Sequence, residues 1–377
     1  MHTFRRLIPL TAIDLHPTPP NSNMTSEKQH HNTLDSDLCH RLQASRSNPT
    51  RRDFLRAASG LALVAGAGAL AGCSSAQEPG LRIATNQWLG YELLYLSQEI
   101  DHPIPYPEHP RVRMVELLSS TDSLQALAAG TADGAGLTLD EALTARAAGI
   151  DIKIVLVFDF SAGADVLLTR PEIKTLADLK HKRIGVEQTG VGALMLDSAL
   201  KQAGLSAAEV QVVSLTVDQQ LQAYRAGKID AVVTFEPMAS KIAAAGGQRR
   251  FDSNAIPGSI VDVLAISTQA LQANPETTRH LLAHFFDALA YLRQHPESAA
   301  ERMAPRLGIS AAEVITGYRG LKLPDIAENR RLLSGSPSPL ETTATKLMDL
   351  MLREKLLARP IEVTQFIADT YLPQVQS

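Results

Sequence analysis

The sequence predicts an α/β fold of two Rossmann-like lobes with a helical C-terminal segment. Three observations carry this. Short apolar runs alternate with helical patterns from residue 81 to 267, two stretches of chain echo each other, and the pattern turns almost wholly helical after Pro275. Strand–helix–strand alternation implies mostly parallel sheets covered by helices on both faces. A chain of 377 residues, 45% hydrophobic and 20% charged, can bury a large core, and its length suits two lobes.

Residues 81–85, 112–117 and 152–158 read as strands, with a short one near 134–137; 183–187, 210–215, 231–235 and 261–267 do the same. Between them Leu and Ala recur at three- and four-residue spacing, as on a helix face. Thr138 with Glu141, and Thr216 with Gln219, fit capping boxes, in which side chains satisfy the orphan N–H groups of a helix start. Gly130, Gly149, Gly204 and Gly227 stand where left-handed C-caps close helices. The echo pairs Leu124-Gln125-Ala126-Leu127-Ala128-Ala129-Gly130-Thr131-Ala132-Asp133 with Leu221-Gln222-Ala223-Tyr224-Arg225-Ala226-Gly227-Lys228-Ile229-Asp230. Each lies about 40 residues after a strand that opens Arg-Ile, at 82–83 and 183–184, so two lobes of similar wiring are expected.

After Pro275 helices are expected over 277–293, 298–307, 311–321, 340–355 and 363–371. His280 and His284 share a helix face at a spacing that can hold a metal. No third ligand is evident, so a structural role is expected, with no metal and no cofactor.

The N-terminus reads as an export signal. Arg51-Arg52-Asp53-Phe54-Leu55 resembles a twin-arginine motif, an Ala/Gly-rich apolar run follows, and Leu70-Ala71-Gly72-Cys73 resembles the lipobox of bacterial lipoproteins. The run is too short to span a bilayer. Residues 1–72 are therefore expected to be a disordered extension and signal, with Cys73 acylated and 73–80 a linker. The remaining cysteine, Cys39, lies in the discarded part, which excludes cysteine catalysis and thiolate metal sites in the mature chain. Residues 1–72 hold 8 of the 36 Lys/Arg and 5 of the 40 Asp/Glu, so the rest is about −7, 28 against 35. That acidity argues against nucleic-acid binding.

Asn86-Gln87-Trp88-Leu89-Gly90-Tyr91-Glu92, directly after the first strand, resembles the opening of periplasmic solute-binding proteins of the nitrate, sulfonate, taurine and thiamine-pyrimidine-precursor class. The stretches 124–133 and 176–186 and the tripeptide Phe235-Glu236-Pro237 match that class too. The resemblance implies a type II periplasmic binding protein. Two lobes, 81–170 plus 256–377 and 171–255, would be joined by two crossover strands, near 164–170 and 259–267. It implies a monomer that delivers a small molecule to an ABC permease and ATPase, on the periplasmic side of a bacterial membrane, and not an enzyme. The alternatives are a ligand-sensing lipoprotein for a membrane signalling protein, or an enzyme of thiamine-pyrimidine or chorismate-dehydratase type.

In open α/β sheets ligands bind outside the carboxyl ends of strands, where helix N-termini point. The residues there give the expected ligand contacts: Trp88, Tyr91, Ser120, Thr138, Asp159, Asp165, Glu187, Thr189, Phe235 and Glu236. Asp140 and Asp218 also fall there, but within first turns, where the helix dipole favours any acid. The strand ends offer acids and no Lys, Arg or His. A small nitrogen-rich, neutral-to-cationic ligand (amine, amidine or pyrimidine-like) is thus expected ahead of nitrate or a sulfonate-type molecule, with Trp88 stacked on it.

Overall fold

The computed structural model describes residues 80–101, 112–353 and 355–374. The twin-arginine stretch, Cys73 and residues 73–79 of the linker lie outside the described residues.

One sheet holds six strands: β1 (Leu81–Thr85), β2 (Val112–Glu116), β3 (Gly134–Thr138), β4 (Ile152–Ser161), β10 (Val261–Ser267) and β11 (Leu321–Lys322), in the order β11-β4-β10-β3-β1-β2. The other holds β5 (Asp165–Thr169), β6 (Arg183–Val186), β7 (Gln211–Ser214), β8 (Ala231–Phe235) and β9 (Gln248–Asp252), in the order β7-β6-β8-β5-β9. The sheets are mixed rather than mostly parallel. In each, a parallel triple (β2-β1-β3, β7-β6-β8) continues into antiparallel strands. The antiparallel strands are those beside the crossings, where the chain reverses direction as it passes between sheets. It crosses once between β4 and β5 and returns between β9 and β10. The strand β5 lies in the second sheet, paired with β8 and β9, although a boundary at 170/171 leaves it with the first. The crossings are tied together: Ser161 Oγ lies 2.7 Å from Ser253 Oγ, which accepts from Gly163 N at 2.6 Å.

The wiring of the two triples repeats. The helices α2 (Ser120–Ala128) and α5 (Val217–Arg225) precede β3 and β8. Each echo ends in an Asp that clamps the Arg opening its sheet's first parallel strand. Asp133 accepts Arg82 Nε at 2.9 Å, Nη2 at 2.7 Å and backbone N at 2.8 Å. Asp230 accepts the same atoms of Arg183 at 3.0, 2.7 and 2.9 Å. Gly130, Gly149, Gly204 and Gly227 all have positive φ, between 67° and 91°, as left-handed C-caps require.

Besides α1 (Glu92–Leu96), the helices α3 (Leu139–Ala147), α4 (Gly190–Ala203) and α6 (Met238–Ala244) fill the lobes. After β10 come α7 (Thr268–Ala273), α8 (Pro275–Gln294), α9 (Pro296–Leu307), α10 (Ala311–Tyr318), α11 (Ile326–Leu333) and α12 (Pro339–Arg353). Their buried residues, Phe285, Met303 and Met351 among them, join the core of the first sheet. The helix α11, absent from the sequence reading, carries buried Asn329, whose side chain bonds both Val157 N (2.8 Å) and Val157 O (3.1 Å). The expected helix over 363–371 is not helical. There β4 outruns the two-residue β11, and its open edge takes up extended backbone: Ile154 N donates to Phe366 O at 2.8 Å, and Ala368 N to Ile154 O at 2.9 Å. An unpaired strand edge favours such cover.

The two clamps should be independent. Asp133→Asn and Asp230→Asn should each lower stability by about 1 kcal/mol, and the double variant by the sum. The Arg183 guanidinium holds the Asp230 carboxyl below its ordinary range, so that benefit is present above the unfolded carboxyl value and lost as pH falls. Urea unfolding of the four proteins at pH 7 and pH 3 checks both statements.

Candidate functional site

A cavity lies between the two sheets. The parallel strands of both sheets end there, so the loops after them and the helix starts that follow supply its walls. Asn86, Trp88 and Tyr91 come from the segment after β1, Ser120 opens α2, Thr138 and Glu141 open α3, and Asp262 lies in β10. From the other side come Asp165 of β5, Glu187 and Thr189 after β6, Val191 and Gly192 in the first turn of α4, Gln220 of α5, and Val233 to Phe235 of β8; Ile260 completes the lining.

Eight of the expected contacts line this cavity: Trp88, Tyr91, Ser120, Thr138, Asp165, Glu187, Thr189 and Phe235. Asp159 and Glu236 do not. Asp159 is fully buried under Trp88, whose Nε1 donates to its Oδ2 at 3.0 Å. Glu236 turns back to accept Ser240 N at 3.1 Å in the first turn of α6. Trp88 and Phe235 meet edge to face, ring centroids 5.4 Å apart. Arg170 stays away from the cavity: its guanidinium is spent on the carbonyls of Ile229 (3.2 Å) and Tyr224 and lies over the Tyr224 ring.

Two acids escaped the sequence reading. Asp262 begins an antiparallel strand, so it is the N-terminal end of β10 that faces the cleft; its one signal was a lone acid in the apolar run Val261-Asp262-Val263-Leu264. Glu141 had been accounted for as a cap, and its Oε2 does accept Thr138 N at 3.0 Å. Gln220 donates Nε2 to Val233 O at 3.1 Å, leaving its Oε1 buried without a partner.

Among the described residues no Lys, Arg or His lines the cavity. Burial first, and then the neighbouring acids, push up the carboxyls in and beneath it: Glu141 and Asp159 to about 8, Asp165 to about 7. Asp262 is driven well above its ordinary value by burial and then by Asp159, its register partner on β4. Tyr91 Oη donates to Asp262 Oδ1 at 2.8 Å. The ring of Tyr91 fits because residue 136 is glycine; a Cβ there would sit 2.9 Å from it.

Helix N-termini at a cleft are ready-made anion sites. Here this chain's own acids fill them. Glu187 accepts Thr121 N (3.2 Å) at the start of α2, Glu141 accepts Thr138 N at the cap of α3, and Asp140 packs against Gly190 at the start of α4, its Oδ2 buried without a partner. A Cβ on Gly190 would lie 2.0 Å from Asp140 Oδ2. What remains unpaired around the cavity is mostly acceptor: Asn86 Oδ1, Asp165 Oδ2, Glu187 Oε2, Gln220 Oε1 and Asp262 Oδ2 are buried without a partner. On α8, His280 and His284 stand 6.5 Å apart, centroid to centroid, and no group of three His, Cys, Asp or Glu is placed to hold a metal among the described residues.

Comparison with known proteins places the chain in a family. Residues 111–299 match the model described as NMT1/THI5 like. An Escherichia coli (strain K12) protein named for binding aliphatic sulfonates is 27% identical over 267 residues, 70% of this chain and 80% of that one. The alkanesulfonate-binding protein SsuA of Xanthomonas axonopodis pv. citri, solved bound to MOPS, superposes with a TM-score of 0.65 at 19% identity, over 78% of this chain and 99% of that one. The desulfurization enzyme DszB, solved with biphenyl-2-sulfinic acid, shares the fold at 16% identity and a TM-score of 0.54, over 78% and 97%. The chain belongs to the NMT1/THI5-like family and has the periplasmic binding protein fold.

The cavity's acids set the pH dependence of folding. Their folded values lie above the unfolded range near 4, so their contribution is complete below that range and is lost as pH rises through about 7 to 8. The urea midpoint should therefore fall between pH 5 and pH 8.5, and Asp165→Asn should flatten that slope. Trp88 is the only Trp, so its emission should titrate near pH 8 with Asp159. Persistence of that titration in Asp159→Asn would refute the assignment.

Proposed function

We propose that this NMT1/THI5-like protein is the extracytoplasmic substrate-binding component of an ABC importer, anchored by acyl chains on Cys73. Its ligand is a small nitrogen-rich molecule, neutral to cationic, held between the two sheets. One observation carries the ligand class: the starts of α2 and α3 are met by Glu187 and Glu141, and a third acid, Asp140, stands against the start of α4. A sulfonate would meet these acids. One carboxylate 4 Å away opposes it by about 4 kcal/mol at an effective dielectric near 20. An amine, amidine or aminopyrimidine supplies what the unpaired oxygens lack, N–H donors, and gains charge-assisted bonds as the carboxyls ionise. The apolar walls of Val191, Val233 and Ile260 with the rings of Trp88 and Phe235 suit a flat or short aliphatic body. The homology to binding proteins supports a carrier rather than a catalyst, and neither His nor Cys lines the cavity among the described residues.

A thermal-shift screen tests this reading directly, because a ligand at 100 times its Kd adds about 2.7 kcal/mol. Nitrogenous compounds should raise Tm and alkanesulfonates should not. Asp165→Ala and Glu187→Ala should weaken the best binder at least tenfold, about 1.4 kcal/mol each. Affinity should rise from pH 5 to pH 8, since a cation favours the ionised carboxyls. A simple sulfonate as the best stabiliser would sink the proposed ligand class. For the anchor, Arg51→Lys with Arg52→Lys should leave unprocessed precursor in the cytoplasm; unchanged export would remove the twin-arginine reading.

A further inference from the structure

We propose that Glu187 reads the ligand and the closure of the two sheets with one carboxylate, so that selection between ligands is made when the cleft shuts. The proposal rests on the reading of the cavity as a site for nitrogen-rich ligands.

Glu187 follows β6 of the second sheet and is 6% exposed. Its two oxygens have different duties. Oε1 is gripped from across the cleft by the first turn of α2, accepting Thr121 N at 3.2 Å and Thr121 Oγ1 at 2.8 Å. Oε2 is buried without a partner, in a residue that lines the cavity. The charged groups facing it are all acids: Asp122 on α2, Glu141 on α3 and Asp218 on α5. Among the described residues no cation lines the cavity to help it stay ionised, and burial raises its pKa.

The state of Oε2 therefore sets the strength of the grip at Oε1. With a proton on Oε2, Thr121 donates to a neutral carbonyl oxygen. With a ligand N–H donated to Oε2, the carboxylate is ionised and both Thr121 bonds become charge-assisted, roughly twice as strong. A sulfonate oxygen beside Oε2 does the reverse. It is tolerated only if Glu187 carries a proton to donate to it, and that proton keeps the grip weak. Cation and anion thus differ in the closed state they can support, beyond any difference in simple contact.

Two variants separate the duties. Thr121→Val removes one donor from the grip and leaves Oε2 untouched. Glu187→Gln keeps an oxygen for Thr121 and turns the cavity-facing atom into an N–H donor. Closure is read as the distance between spin labels at Gln98→Cys and Gln202→Cys, both exposed, in the full chain carrying Cys39→Ser and Cys73→Ser. The probes are propylguanidine and 1-propanesulfonate, which differ only in the head group. Thr121→Val should reduce the closed population roughly tenfold while keeping the order of preference between probes. Glu187→Gln, whose amide oxygen is neutral like that of the protonated acid, should close on propylguanidine no more than the unmodified protein closes on the sulfonate, and its preference should move at least tenfold towards the sulfonate. An unchanged distance distribution in Thr121→Val, or an unchanged probe preference in Glu187→Gln, overturns the proposal. If the unmodified protein prefers the sulfonate, the ligand class fails first; a Thr121→Val protein that then still opens localises the failure there and not in the grip.

Discussion

A carboxyl group buried beyond reach of any cation must either keep its proton or be surrounded by donors, because the naked charge costs several kcal/mol to desolvate. This chain accepts that constraint at Asp140, Glu141, Asp159, Asp165, Glu187 and Asp262, all buried around one cleft. Much of the local architecture answers it. Trp88 gives its indole N–H to Asp159, and Tyr91 its hydroxyl to Asp262. Residue 90 has to be glycine, since a Cβ there would stand 1.8 Å from Asp159 Oδ2 and 2.7 Å from Trp88 Nε1. The donors are enough to hold the acids in place but not to satisfy every oxygen, and the remainder face the cavity.

The same fold serves proteins named for binding sulfonates and an enzyme that acts in desulfurization, so the fold alone assigns no chemistry. In this chain the chemistry of the cleft turns on what its helix N-termini hold. The partial positive charge of a helix start is a fixed resource. Filled by an acid from the opposite sheet, as Glu187 fills the start of α2, it becomes a joint between lobes instead of a seat for an anion.

Much of this was legible in the sequence, and the failures have physical causes. The alternation of strand and helix gives the two sheets, and the Arg-Ile and Asp echoes mark equivalent positions, because clamping a strand to the turn before its neighbour needs the same pair in each sheet. The rule that ligands gather at the carboxyl ends of strands found Trp88, Glu187 and Phe235. It missed Asp262 because an antiparallel strand presents its opposite end. It misjudged Asp159 because β4 runs on to Ser161, which places that acid inside the sheet rather than beyond it. Glu236 lies in the right loop, but a free N–H in the next helix turn claimed its carboxylate. Those outcomes depend on strand direction, strand length and local hydrogen-bond competition, none of which periodicity encodes.

The double crossing between sheets also bears on the order in which the molecule can be assembled. The strand β10 sits between β3 and β4 and hydrogen-bonds to both, yet it is translated after every strand of the second sheet. A nascent chain that has produced β1 to β4 holds a first sheet with its central seam missing and two apolar edges unpaired. Those edges are a liability until residue 267 has emerged. The second sheet, continuous from β5 to β9, has all its strands before the first can close. Synthesis therefore favours a path in which the later lobe forms first and the earlier one is completed around the returning strand.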